Sequence, residues 1–170
     1  MTALEEGLGL RGAGKPLEAL AALRRATREE PENAEAWYWF GATQDELGME
    51  STAVPCYREA LRLGCAESAD AHAFLASSLQ KTWNAAGGYG HIQRALAEKP
   101  GDPLYHFILG NILADLRRWT EAEMAYREAL RIDPERGIAW HRLGQLLGAA
   151  GRQAEAWEAY QMAYRYGDGF

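Results

Sequence analysis

Cysteine, positive charge and long apolar runs are all scarce in this chain, and each scarcity removes a class of function. Among 170 residues there are two cysteines, Cys56 and Cys65. They form no CxxC pair and have no histidine at ligand spacing, so neither a zinc centre nor a disulfide framework is indicated. A reduced, structural role is expected for both. Lys and Arg number 18 against 24 Asp and Glu, leaving a net charge of -6. Proteins that hold nucleic acid by its phosphates need clustered cations, so general nucleic-acid binding is not expected. No apolar run approaches the roughly 20 residues that cross a bilayer. The first residues, MTALEEGLGLRGAGK, carry Glu5 and Glu6 where a secretory leader needs basic residues and an apolar core. The expectation is a cytoplasmic protein with no membrane segment.

Catalytic signatures are equally sparse. No Ser or Cys has a recognisable nucleophile context. No two histidines stand at i, i+4 with a carboxylate, and no GxxxxGK[ST] stretch is present. The acids Glu29–Glu30, Asp45–Glu46 and Glu121/Glu123 read as solvated or capping residues at helix exteriors and ends. No metal, no cofactor and no enzymatic activity are expected.

What the chain does contain is repetition. The segments PENAEAWYWFGATQDELG, SADAHAFLASSLQ, DPLYHFILGNILADL and RGIAWHRLGQLLGAAG share one order. A large residue is followed three places later by an apolar one, then at once by Gly or Ala. The sets are Trp37, Phe40, Gly41; His72, Leu75, Ala76; His106, Leu109, Gly110; and Trp140, Leu143, Gly144. A second helical stripe follows, as Ala53, Tyr57, Ala60, Leu61, then Ala122, Tyr126, Ala129, Leu130, then Ala156, Tyr160, Ala163. From Ala26 to Ala60 is 34 residues, Ala60 to Ala95 is 35, and Ala95 to Ala129 and Ala129 to Ala163 are 34 each. Two apolar stripes at helical spacing, parted by a break, make a helix–turn–helix hairpin. Small residues recur where two helix axes must approach closely. Pro31, Pro100 and Pro134 close second helices. Asp102–Pro103 opens the next helix with a cap and a first-turn proline, and Thr120 with Glu123 reads as a capping box for another. A lone hairpin cannot bury its own faces, so such units stack.

This pattern resembles the tetratricopeptide repeat family, in the manner of a short, stand-alone, bacterial-type repeat protein, over nearly the whole chain. Trp140, Leu143, Gly144, Ala156, Tyr160 and Ala163 match the family's set places in the last unit. His106, Leu109, Gly110, Ala122, Tyr126, Ala129 and Pro134 match the one before, with His for Trp. Gly7, Leu10, Ala19, Leu23, Ala26 and Pro31 match more loosely, with Glu6 at an expected apolar place. The resemblance implies an all-α, right-handed α-solenoid of about five helix–turn–helix hairpins in a single domain, 1–170. The units fall near 1–33, 34–68, 69–102, 103–136 and 137–170. The extra residue of the 35-residue step falls in the Gly64–Ser68 connector, which lacks the usual proline. His72 and His106, at the Trp37 and Trp140 place, are expected to be packed imidazoles.

The resemblance also implies a noncatalytic module that binds a peptide or helix of a protein partner in a concave groove lined by the first helices. Its inner positions map to Tyr38, Trp39, Ala42 and Asp45 in the second unit. In the third they are Ala73, Phe74, Ser77 and Gln80, with Lys81 beside them. Phe107, Ile108 and Asn111 follow in the fourth, and His141, Arg142 and Gln145 in the fifth. An apolar groove with a polar rim suits a peptide or helix. Against this stands the reading that Trp39 and Phe74 pack into neighbouring hairpins and leave little groove. The clamp by which chaperone-binding members hold a C-terminal carboxylate is absent: Tyr38 and Phe107 occupy lysine-type places, and Arg142 stands where an asparagine would follow Asn111. The alternative function is homo-oligomeric self-association through the last helix, by Trp157, Tyr160, Tyr164 and Phe170.

One stretch breaks the pattern: LQKTWNAAGGYGHI, residues 79–92. In register, Gly88 falls at the small-residue place of Ala53 and Ala122, Ile92 replaces the aromatic, and Ala95–Leu96 restore the repeat. It reads as the turn and weakened second helix of the third unit, expected to fray first. A hinge or a local ligand contact through Trp83, Tyr89 and His91 is the competing reading.

Overall fold

The break inside each hairpin depends on one residue with a positive φ. In a computed structural model that describes residues 1–167, those residues are Gly14, Gly48, Trp83, Arg117 and Gly151, with φ between 60° and 78°. Each follows a first helix and precedes a second: α1 (Ala3–Gly12) and α2 (Pro16–Glu29), α3 (Ala34–Glu46) and α4 (Glu50–Arg62), α5 (Ser68–Lys81) and α6 (Ala85–Glu98), α7 (Pro103–Asp115) and α8 (Trp119–Ile132), α9 (Gly137–Ala149) and α10 (Gln153–Tyr166). The next residue's amide returns to a carbonyl five places back, as in Lys15 to Leu10, Met49 to Gln44 and Arg118 to Leu113, which closes the helix in a Schellman turn. Glycine supplies the left-handed conformation without a Cβ clash. Trp83 and Arg117 adopt it regardless, and the Trp83 side chain is 97% exposed. No strand occurs among the described residues, and none of their helices is long and apolar enough to cross a membrane.

Within a hairpin, a small residue faces a large one sixteen positions later. A Cβ placed on Gly110 would lie 2.5 Å from the Tyr126 ring; on Gly144, 2.8 Å from Tyr160; on Gly41, 3.3 Å from Tyr57; on Gly7, 2.6 Å from Leu23. The aromatic ring therefore lies directly on the backbone of the first helix. In the third hairpin the equivalent residues are Ala76 and Ile92, both fully buried. A smaller partner there leaves space for a methyl group.

The connectors between hairpins are tied by rings. Trp37 Nε1 donates to the Pro31 carbonyl, His106 Nε2 to that of Pro100 and Trp140 Nε1 to that of Pro134, each at 2.8 Å. His106 thus substitutes for tryptophan as a donor as well as a packing group. Asp102 caps α7 as expected, its Oδ1 accepting from Leu104 and Tyr105. The capping box expected at Thr120 is corrected: α8 begins two residues earlier, at Trp119 with Arg118 at the cap, and Arg118 pairs with Glu121. A capping box does occur at Thr2 and Glu5. Glu6, the acid at an apolar place, is answered by an ion pair with Arg25. Gly87 lies in the first turn of α6 rather than in the preceding turn, with its amide held by Asn84 Oδ1 at 3.0 Å.

The helices form an all-α repeat fold in two compact units, Met1–Ala95 and Leu96–Phe170. In the first, Tyr38, Tyr57, Leu75 and Leu79 share one cluster, while Leu23, Phe40 and Cys56 form another. The second buries Tyr105, Ile112, Tyr126, Leu143 and Leu147. Both cysteines are buried and neither is in a disulfide, and burial pushes the Cys56 thiol up to about 12, which keeps it inert.

The ring-on-backbone contact has a measurable consequence. Gly110→Ala gains about 1 kcal/mol of helix propensity but forces Tyr126 to move, so a net loss of about 1–2 kcal/mol is expected. Gly90→Ala, on the exposed side of α6 with nothing within 4 Å, takes the propensity gain alone and raises stability. Urea midpoints for the two variants should move in opposite directions.

Candidate protein-binding surface

The first helices carry the residues in question, and the two units are described in turn. In residues 1–95, Trp39 is half-buried on α3. The Tyr38 ring meets its edge at 5.0 Å and the Arg11 guanidinium lies 5.1 Å from its ring centre. Trp39 Nε1 donates to Glu35 at 3.3 Å. Arg11 also donates to Thr43 Oγ1 at 2.7 Å and pairs with Glu46 at 3.3 Å, so α1 reaches across the face of α3. Phe74 on α5 is half-buried and tilted against Tyr57 at 6.2 Å. Both aromatics pack on the cluster that holds Tyr57 and Leu75. Ala42, Ser77 and Gln80 are half-buried beside them.

The charged members of this face are already engaged. Lys81 Nζ stands 3.6 Å from Asp45 and 3.2 Å from Glu50, and Ser78 Oγ lies 3.2 Å from Asp45 Oδ1. Burial raises the Asp45 carboxyl above its ordinary value, opposed by the Lys81 ammonium and the Ser78 hydroxyl. Asp45 therefore joins helices rather than projecting freely.

In residues 96–170, Phe107 on α7 is half-buried, with its ring centre 6.1 Å from that of Tyr126. Asn111 Oδ1 accepts from the Tyr126 hydroxyl at 2.9 Å, and burial raises that phenol so that it remains a donor. On α9, His141 is half-buried with its ring 5.6 Å from Tyr160, while Arg142 and Gln145 are exposed and bonded to one another at 3.2 Å.

Three inner-wall positions are corrected. Tyr38 is 4% exposed: its ring is enclosed between Trp39 and Tyr57, so it belongs to the core. Ile108 is buried as well, although Trp39 and Phe74 at the same repeat place are half-open and Arg142 is fully so. Ala73 is sealed too. On α10, Trp157 is 65% and Tyr164 79% exposed. Tyr160 is not on that face, because its ring covers Gly144, and Phe170 lies outside the described residues. Arg11 was missed, although it stands 34 residues before Asp45 and so at the same repeat place. Register alone would have found it.

Comparison with known proteins agrees with this architecture. A family model described as a tetratricopeptide repeat matches residues 4–48, 90–137 and 109–169, and a second of the same description matches 34–63. Residues 64–89, with all of α5 and the start of α6, fall outside both. Over 63 residues the chain is 43% identical to Protein O-mannosyl-transferase Tmtc1 of Drosophila melanogaster; the match covers 34% of this chain and only 7% of that protein's length. The fold is similar to MamA (41-end) from Desulfovibrio magneticus RS-1, with a TM-score of 0.83 at 21% identity, covering 96% of this chain and 92% of that one. It is similar to YrrB, described as a TPR protein with an unusual peptide-binding site, with a TM-score of 0.77 at 22% identity, covering 97% and 84%. PilF of Pseudomonas aeruginosa gives 0.81 at 18% identity, covering 99% and 76%. At these identities the likeness is one of fold.

The Asp45–Lys81 pair gives a signed prediction. A carboxyl whose value is higher in the folded than in the unfolded chain costs stability while ionised, and the cost is relieved as pH falls through the folded value. Asp45→Asn should therefore leave the urea midpoint at neutral pH unchanged or raised, with its advantage shrinking on acidification. Lys81→Ala leaves the carboxylate without its main counter-charge and should cost about 0.5–1 kcal/mol.

Proposed function

Because the chain belongs to the tetratricopeptide repeat family, we propose that it is a noncatalytic, cytoplasmic interaction module that holds a peptide or helix of a protein partner on its first-helix faces. The observation that carries this reading is the pair Trp39 and Phe74. Each is only half-covered, each rests on one rigid cluster, and the Arg11 guanidinium fixes the indole from the side. Large rings held in place lose little conformational freedom on binding, and aromatic residues with arginine dominate binding energies at protein interfaces. Asp45 and Lys81 neutralise one another locally, so the partner's apolar side chains supply most of the affinity and its polar groups meet Ser77 and Gln80. In the second unit Phe107, Asn111, His141, Arg142 and Gln145 offer a more polar face, suited to an acidic or amide-bearing stretch. The peptide-binding site named for YrrB lends support by analogy.

Peptides selected from a displayed random library on the native protein test this reading. Trp39→Ala/Phe74→Ala should weaken the selected peptides by more than about tenfold, equivalent to about 1.4 kcal/mol, while circular dichroism is retained. Equal affinity for native protein and variant would remove the aromatic pair from the binding surface.

A second reading rests on Trp157 and Tyr164, two large rings standing well out from α10. Tyr164 occupies the repeat place of Leu130, which is buried. Self-association through this face predicts a molar mass above that of one chain by light scattering, reverting to a monomer in Trp157→Glu/Tyr164→Glu. A monomer in both samples excludes it.

A further inference from the structure

Two of the four histidines and the glycine-rich opening of α6 take no part in the surface described above. His72 stands at the repeat place where Trp37, His106 and Trp140 bond a loop proline carbonyl, but the Gly64–Ser68 connector has no proline. Its ring also meets α6, where Nδ1 of His72 lies 2.9 Å from Nδ1 of His91. With the ring centres 5.1 Å apart at that nitrogen separation, the rings meet edge to edge through these two atoms. One nitrogen carries a hydrogen and the other accepts it. No group of three metal-ligating side chains occurs among the described residues, and nitrogens directed at one another this closely enclose a proton rather than an ion.

We propose that His72 and His91 form a proton-sensitive latch that holds the N-terminal half of α6 against α5 and releases it on acidification. The neutral pair shares one N–H···N bond. A first added proton preserves it, since an imidazolium still donates to a neutral ring. A second proton leaves two N–H groups facing each other, and the bond is replaced by repulsion. The charged groups acting on His91 are His72 on α5, Arg94 on its own helix and Arg58 on α4, all basic. Burial, followed by these neighbours, holds the His91 imidazole below its ordinary value. The sign follows. A base that is harder to protonate in the folded chain contributes stability above its unfolded value, near 6.5, and loses it as pH falls from there toward the folded value.

The effect is local because the segment has little reserve. Gly87, Gly88 and Gly90 each cost about 1 kcal/mol relative to alanine inside a helix. The Asn84 cap and the histidine pair offset that cost from either end of the stretch. Loss of the pair therefore opens these turns before the rest of the unit.

Hydrogen exchange, corrected for intrinsic chemical rates, provides the test. Between about pH 7 and about pH 5.5, protection of residues 85–92 should fall about fivefold to tenfold, as one linked proton requires. Protection of residues 122–130 should stay unchanged. His72→Asn places an amide at the Nδ1 position, able to donate to or accept from His91 in either protonation state. It should keep the protection seen at neutral pH and reduce the acid response to below about fourfold, the remainder arising from the burial of His91. Should that variant prove looser throughout, His91→Phe, which packs without titrating, must show no acid response. The latch is refuted if native residues 85–92 are equally protected at both pH values, if they are unprotected at neutral pH, or if the variants retain the full response.

Discussion

The distance between paired helices in this protein is set by a ring resting on a backbone. At Gly110 and Tyr126 there is no room for a single added carbon, and the same holds for Gly144 with Tyr160. Such contacts bring α7 to α8 and α9 to α10 closely enough for alanines to line the remaining seam, as Ala122, Ala129, Ala156 and Ala163 do. Once the axes are this close, the residues flanking the glycine are aimed outward from the hairpin, and Phe107, Asn111, His141 and Arg142 acquire their positions. The Tyr126 hydroxyl then reaches through to Asn111. The core contact and the surface polar group are thus one structure, and the phenol cannot be altered without disturbing both.

The third hairpin solves the same problem differently, which accounts for its other departures. With Ala76 and Ile92 in place of glycine and tyrosine, the volume at the contact is preserved but its shape changes. Isoleucine has no hydroxyl to extend beyond the first helix and no flat face to lay on a backbone. The small-residue place is taken by Gly88 and the loop proline is missing. A histidine pair joins α5 to α6, whereas the rings at that repeat place in the second, fourth and fifth hairpins bond proline carbonyls. Each change removes a rigid contact typical of the repeat, and this is also where the family models cease to match.

The helices and their order were legible because burial imposes a period on apolar residues, and four repetitions make that period hard to mistake. The glycine–aromatic spacing and the cap at Asp102 could be read for the same reason. What escaped reading was decided by tertiary neighbours. Trp83 holds a turn that normally takes glycine, because the surrounding hairpin over-determines its backbone. Thr120 loses its cap to Arg118, whose pairing with Glu121 serves the helix start. Tyr38 and Ile108 share repeat places with open residues, yet each is covered by the particular side chains around it. Repeat register determines the direction in which a residue points. Exposure depends on how large its neighbours are, and a single sequence does not give that.

The same distinction bears on recognition. Read in register, the inner wall of residues 1–95 offers a carboxylate and an ammonium as handles for a partner. In the folded chain Asp45 and Lys81 face each other, Glu50 holds the lysine from its far side, and Arg11 is committed to Thr43 and Glu46. A partner that engaged any of these ions would have to break an existing pair and strip water from both members, which returns little net energy. The half-covered faces of Trp39 and Phe74 carry no such debt, since covering them only removes apolar area from water. For the proposed partner, selectivity would therefore rest on the shape of what lies over two fixed rings, with the surrounding ion pairs acting mainly to keep those rings still.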